Sequence, residues 1–118
     1  MARKVLTLNQ ISVKGLERLP RDAYEIASEF SSPDAILLRS HQLKAEEIAG
    51  SVLAIGRAGA GVNNIPVAEC SRRGIPVFNS PGANANAVKE LVATAMLLGS
   101  RGIIEGIRYV DTLAGVKD

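Results

Sequence analysis

Tryptophan is absent from this chain, and only two tyrosines and two phenylalanines occur among its 118 residues. An aromatic content of 3% supplies few platforms on which single-stranded bases could stack. One cysteine, Cys70, excludes an internal disulfide and fits a reducing compartment. No charge of one sign prevails: 14 Lys and Arg stand against 12 Asp and Glu, interspersed, for a net +2. A nucleic-acid binder shows a larger and clustered basic excess, so no nucleic-acid partner is expected. No window approaches the ~20 apolar residues of a membrane span. The run Val5 to Leu8 behind Arg3 and Lys4 is too short for a signal peptide, and no cleavage pattern follows it. The expectation is a soluble, cytoplasmic protein with no membrane partner.

What the chain does have is an apolar fraction of 47%, enough at this length for one domain with a proper core. Short apolar runs alternate with helical patterns. Strands are expected at Val5 to Leu8, Ala23 to Ala27, Asp34 to Leu38, Val52 to Ile55 and Pro76 to Phe78. The run Ala35-Ile36-Leu37-Leu38 is continuously apolar, as in a strand buried on both faces. Helices are expected at Val13 to Leu19, stopped by Pro20, and at Leu43 to Ala49, ending at Gly50. Another is expected to be capped by Asn64, with Pro66 in its first turn and Gly74 just past its end. Asn84 or Asn86 would cap a longer one with Val88, Leu91, Val92, Ala95 and Leu98 on its apolar face. After Gly99 to Gly102 a last helix, Ile103 to Leu113, presents Ile103, Ile107 and Val110 on one side. The order β-α-β-β-α-β-α-β-α indicates an α/β fold, a flavodoxin-like parallel sheet with helices on both faces.

Open parallel sheets bind ligands outside the carboxyl ends of their strands. The first strand delivers Asn9 and Gln10 there, the third Arg39 and Ser40. The fourth delivers Arg57, Gly59, Ala60 and Gly61; the fifth delivers Asn79 and Ser80, then Gly82 and Asn84. This set holds arginines, hydroxyls, amides and glycines, and no carboxylate. It therefore speaks against a Mg²⁺ site, and no metal cluster is expected. It suits an anion instead. Arg39 offers a planar fork to a carboxylate or phosphate, Ser40 a hydroxyl donor, and Gly59-Ala60-Gly61 backbone amides, with the helix behind Asn64 turning its positive end the same way. Arg57 is as well suited to the surface as to a ligand. Gly59-Ala60-Gly61 fails as a dinucleotide fingerprint, because Asn64 stands where the third small residue belongs and no acid follows at the next strand end. His41 has no acid at a strand end to orient it, and Cys70 falls inside a helix, so no catalytic residue is expected.

The run Arg57-Ala58-Gly59-Ala60-Gly61-Val62-Asn63-Asn64-Ile65, with Leu38-Arg39-Ser40, Arg73-Gly74-Ile75-Pro76-Val77 and Asn79-Ser80-Pro81-Gly82-Ala83-Asn84, resembles the NAD-dependent D-2-hydroxyacid dehydrogenases. The resemblance covers essentially the whole chain and is strongest toward the members that act on 3-phosphoglycerate. It implies a substrate-binding domain at residues 1–98 and an interdomain connecting helix at 99–118, the chain being truncated before the NAD-binding domain. It implies that Arg39, Ser40, Arg57, Gly59, Ala60, Gly61 and Asn84 line the substrate cleft, Ala60 with a weak contact to the cofactor. NAD would be bound mainly by the absent domain, so this chain alone would be inactive. The intact enzyme would be a homo-oligomer converting 3-phosphoglycerate, or a similar 2-hydroxy acid, to the 2-keto acid, for 3-phosphoglycerate an opening step of serine biosynthesis. A stand-alone anion-binding or regulatory α/β module remains an alternative, as does a dehydrogenase of another D-2-hydroxy acid.

Overall fold

Val5, Ile36, Leu38 and Ile55 are all buried, and they lie on three adjacent strands. The computed structural model describes residues 1–116, so the last two residues of the expected connecting segment lie outside the described residues. The strands are β1 (Arg3–Leu8), β2 (Tyr24–Ala27), β3 (Ala35–Leu38), β4 (Ala54–Arg57) and β5 (Val77–Phe78). All pairings are parallel, and the strand order is β2-β1-β3-β4-β5. This is the flavodoxin-like order. It reverses at β1, so right-handed crossovers place the connection to β2 on one face and those to β4 and β5 on the other. The continuous apolar run Ala35 to Leu38 ends up as the central strand, but it is not buried on both faces as its sequence suggests: Ile36 and Leu38 are buried on one face, while Ala35 and Leu37 on the other are only partly covered.

The first connection holds α1 (Val13–Leu16), one turn only, with no side-chain cap and Pro20 soon after. The expected helix Leu43 to Ala49 contracts to a single 3₁₀ turn, Ala45–Glu47. Leu43 and Ile48 must both be buried, and a spacing of five does not keep two side chains on one helical face. Ile48 is accordingly extended (φ −86°, ψ 98°).

The helix α2 (Val67–Arg72) starts later than its sequence suggests. Pro66 occupies the N-cap position, and Asn64 does not cap, because its amide is bonded across to the segment after β3. At the other end Gly74 has φ +70°. Its N–H donates to Ser71 O while that of Ile75 donates to Cys70 O, the paired bonds of a Schellman motif. Ile75 and Cys70 join Ile36, Leu38, Leu43, Ile48, Val52, Ile55 and Ile65 in one buried cluster.

Asp34 ties the start of β1 to the start of β3. Its carboxylate accepts the Lys4 N–H at 2.7 Å and the Arg3 guanidinium at 2.9 Å. These bonds, that of Lys4 foremost, hold the Asp34 carboxyl below its ordinary value. Stability from such a group is complete above the unfolded value and is lost as pH falls through the folded one. The melting temperature is therefore expected to fall on acidification below about pH 4, the unfolded Asp value. Asp34→Asn should show a shallower fall over that interval by circular dichroism.

Residues 1–83 form one compact unit and residues 84–116 belong to a second. It contains α3 (Ala85–Ser100) and α4 (Ile103–Thr112), joined at Gly102, whose φ of 59° is left-handed. Neither helix contains a buried residue. Asn84 takes the N-cap position of α3 without a side-chain capping bond. Asn86 lies inside the first turn, where its side chain bonds Glu90 and Lys89 instead of capping. Among the described residues no helix is long and apolar enough to cross a membrane.

Candidate functional site

The strand order reverses between β1 and β3, which is where an open parallel sheet has its ligand crevice. Asn9 follows β1 there, and Arg39-Ser40-His41 follow β3. Asn9 has φ 74°, a conformation that Asn tolerates better than most residues. Its Oδ1 accepts the backbone N–H groups of Arg39, Ser40 and His41 at 3.3, 2.9 and 2.7 Å. The carbonyls of the same segment are held from the other side. Asn64 Nδ2 donates to Arg39 O at 3.2 Å and to His41 O at 2.8 Å. Arg57 Nε donates to Arg39 O at 3.0 Å. The Arg39 to His41 backbone is thus pinned on both its donor and its acceptor sides.

Arg57 is a brace. Besides Arg39 O it reaches Gly61 O through Nη1, and its guanidinium wraps the loop after β4. The loop is further fastened by Asn79, whose Nδ2 donates to Ala60 O at 2.7 Å, and by Ser80, whose N–H donates to Gly59 O at 2.9 Å. The carbonyls of Gly59, Ala60 and Gly61 therefore face partners within the protein. The N–H groups of Ala60 and Gly61 have no acceptor among the described residues. A Cβ built on Gly59 would lie 2.7 Å from Arg57 Nη1 and 3.1 Å from its Cζ. Gly59→Ala is expected to push the guanidinium off its two carbonyls and to cost roughly 1–2 kcal/mol, the net worth of one or two such bonds. Chemical denaturation reads the cost, and loss of a slowly exchanging Arg57 Nε–H signal in NMR reads the displacement.

Arg39 and Ser40 are exposed, and neither side chain has an ion-pair or hydrogen-bond partner among the described residues. Their backbones are fixed and their donors are free. Arg39, Ser40, Arg57, Gly59, Ala60 and Gly61 are thus gathered into one bonded constellation. Asn84 belongs to the second unit. The helix expected to turn its positive end toward this set, α2, is short, with only six residues beginning at Val67.

His41 does have an acidic partner, which the strand-end inventory missed. Its Nε2 lies 3.0 Å from Glu47 Oε1, and Glu47 Oε2 accepts the Lys44 N–H at 2.7 Å. The Lys44 N–H, and after it the His41 ring, hold the Glu47 carboxyl below its ordinary value. The pair closes the 3₁₀ turn onto the pinned segment. The sequence signal was a carboxylate three residues after Lys44, the residue that caps that turn, the spacing at which a side chain returns to a free N–H.

Gly59-Ala60-Gly61 is not a dinucleotide cradle. Asn64, at the third position, is buried at 5% exposure with its Nδ2 committed to two carbonyls, and the helix begins three residues later. The residues of this chain do not fit NAD as a whole cofactor. Among the described residues no three His, Cys, Asp or Glu side chains converge as metal ligands. A recess of about 820 Å³ lies elsewhere, between α1 and the start of β2, lined by Val13, Leu16, Leu19, Pro20, Tyr24 and Ile26 among others. It shares no residue with the strand-end constellation.

Residues 2–111 match the family described as D-isomer specific 2-hydroxyacid dehydrogenase, catalytic domain. The chain belongs to this family. It is 39% identical over 120 residues to the D-3-phosphoglycerate dehydrogenase of Synechocystis sp., covering 91% of this chain and 22% of that protein. It is 32% identical over 121 residues to the D-3-phosphoglycerate dehydrogenase of Archaeoglobus fulgidus, covering 91% and 23%. Among solved structures, the 3-phosphoglycerate dehydrogenase of Entamoeba histolytica with bound NAD⁺ superposes with a TM-score of 0.71 at 26% identity, over 84% of this chain and 39% of that one. The TT0316 protein of Thermus thermophilus shares the fold, with a TM-score of 0.83 at 21% identity over 98% of this chain and 42% of that one. The chain thus spans less than a quarter of the length of these two curated relatives.

Proposed function

We propose that this dehydrogenase-family chain supplies the substrate-binding part of an NAD-dependent enzyme that oxidises 3-phosphoglycerate to 3-phosphohydroxypyruvate, the step that leads toward serine. One observation carries the reading. At the topological switch point, a backbone segment pinned on both sides presents the guanidinium of Arg39 and the hydroxyl of Ser40 with no partner of their own among the described residues. A fixed fork beside a hydroxyl donor recognises a carboxylate or phosphate, and the substrate carries both. The relatives named D-3-phosphoglycerate dehydrogenase make that acid the first choice over other 2-hydroxy acids.

The proposed roles divide by geometry. Arg39 and Ser40 grip an anionic end of the substrate. Arg57 holds the loops in register, the unpartnered N–H groups of Ala60 and Gly61 add donors at the rim, and Ala60 is proposed to make a weak contact with the cofactor as well. Asn84 is proposed as a cleft-lining residue within a substrate-binding domain of residues 1–98, followed by a connecting segment from 99 on. NAD is the proposed oxidant, held mainly by the part of the enzyme beyond this chain. The chain alone is then expected to bind substrate without forming NADH, and absorbance at 340 nm checks this.

The decisive experiment is an NMR titration of the isotopically labelled chain with 3-phosphoglycerate, with D-lactate as the unphosphorylated 2-hydroxy acid. Shifts clustered at Arg39, Ser40 and Gly59 to Gly61, and larger for the phosphorylated acid, are the expected result. Equal response to D-lactate points to another 2-hydroxy acid as substrate. Shifts confined to the recess between α1 and β2 would overturn the assignment.

A further inference from the structure

Three consecutive backbone N–H groups converge on one oxygen, and that oxygen belongs to Asn9. Successive amides aimed at a single point form a nest, the arrangement that elsewhere binds an anion. Here the nest is already filled by a neutral carbonyl from the adjacent strand. We propose that Asn9 is the positioning residue of the anion site: it consumes the Arg39–His41 amides as an internal ligand, so that recognition passes to the Arg39 and Ser40 side chains. The proposal rests on the substrate-site reading given above.

Several observations converge on this role. Asn9 sits at the end of β1, and β1 pairs with β3 through Leu8 and Leu38, the residues immediately before the two partners. The strands thus deliver the acceptor and the amides to the same point. The left-handed backbone of Asn9 (φ 74°) turns the chain sharply at the strand end, and Asn is among the few side chains that take this conformation readily. The acceptor is uncharged, which matters beside Arg39. A carboxylate in the same place would accept the three N–H groups more strongly, but it would also set a negative charge against an incoming anion. The opposite side of the segment is held independently, by Asn64 and Arg57 on the Arg39 and His41 carbonyls. Loss of Asn9 alone therefore frees the amide side while leaving the carbonyl anchors in place.

The left-handed conformation provides a clean test, because glycine adopts it without strain. Asn9→Gly keeps the backbone and removes only the acceptor, and Asn9→Asp keeps the acceptor and adds the charge. The full chain and both variants are compared by amide hydrogen exchange and by titration with 3-phosphoglycerate. In Asn9→Gly, exchange at Arg39, Ser40 and His41 is expected to quicken at least about tenfold while the core amides of Ile36 and Ile55 stay protected. The dissociation constant should rise about fivefold to twentyfold, a local loss of the kind that follows when a binding group is left unpositioned. Asn9→Asp should return the protection of the three amides but bind the anion more weakly than the parent. Parent-like affinity in Asn9→Gly overturns the positioning role even if exchange quickens. Equal quickening of the core amides in both variants also overturns it, since Asn9 would then be serving the fold alone. If the parent chain shows no response to 3-phosphoglycerate that depends on Arg39, the site reading itself fails, and this inference with it.

Discussion

Arg39→Ala is expected to weaken 3-phosphoglycerate binding by roughly 10- to 100-fold, because a hydrogen bond to a charged group is worth about 1.5–3 kcal/mol. The substitution spares everything else that Arg39 does. Asn9, Asn64 and Arg57 bond only its backbone N–H and carbonyl, and alanine keeps both. Its guanidinium is exposed and holds no intramolecular partner among the described residues. Stability should therefore stay within about 0.5 kcal/mol, as for other surface changes. Arg39→Lys keeps the charge without the planar fork and should recover only part of the affinity. Isothermal titration calorimetry on the three proteins gives the comparison. An alanine variant that binds like the parent would remove the central residue of the proposed site.

The largest effect on stability is expected one residue earlier. Leu38 is fully buried at 0% exposure on the central strand, and Leu38→Ala should cost about 2–5 kcal/mol through lost burial and the cavity left behind. Against a total of about 5–15 kcal/mol for a typical domain, that is a large fraction of the whole. Urea denaturation should show a lower midpoint with an unchanged slope. Leu53→Ala is the control: Leu53 is 57% exposed, and its loss should be small. Because Leu38 precedes Arg39, the same variant is also expected to lose anion affinity as the strand end loosens. Equal sensitivity at Leu38 and Leu53 would contradict the core assignment.

The sheet was legible in the sequence because its central strand is written as an uninterrupted apolar run, Ala35 to Leu38; the apolar run Val52 to Ile55 marked the next strand two residues early, since β4 is Ala54–Arg57 and its second half is Gly-Arg. Strand β5 shrinks to Val77 and Phe78, and the sequence marks its beginning by Pro76. The connections were harder to read. Leu43, Ile48 and Ala49 suggest a helix by composition, but the buried positions, Leu43 and Ile48, are five apart and belong to a chain that turns once and continues extended. Asn64 illustrates a different obstacle. Local rules assign it to the start of α2, and only the fold shows that Arg39 and His41 compete for the same amide and win it. The site was legible as a list of strand-end residues. Its division into Arg57 that braces, Asn9 that positions and Arg39 that is free to bind required knowing which groups meet across strands far apart in sequence.

Cys70 adds a practical consequence. It is the chain's one thiol, it is fully buried beneath the Schellman turn, and burial raises its pKa above the ordinary thiol value. A thiol reagent attacks the thiolate and needs access to it, so it can react only while the core is transiently parted. Its labelling rate in native buffer counts those partings directly. The protein therefore carries an internal clock for its own breathing, one that a bound anion should slow if closing the strand ends steadies the core beneath them.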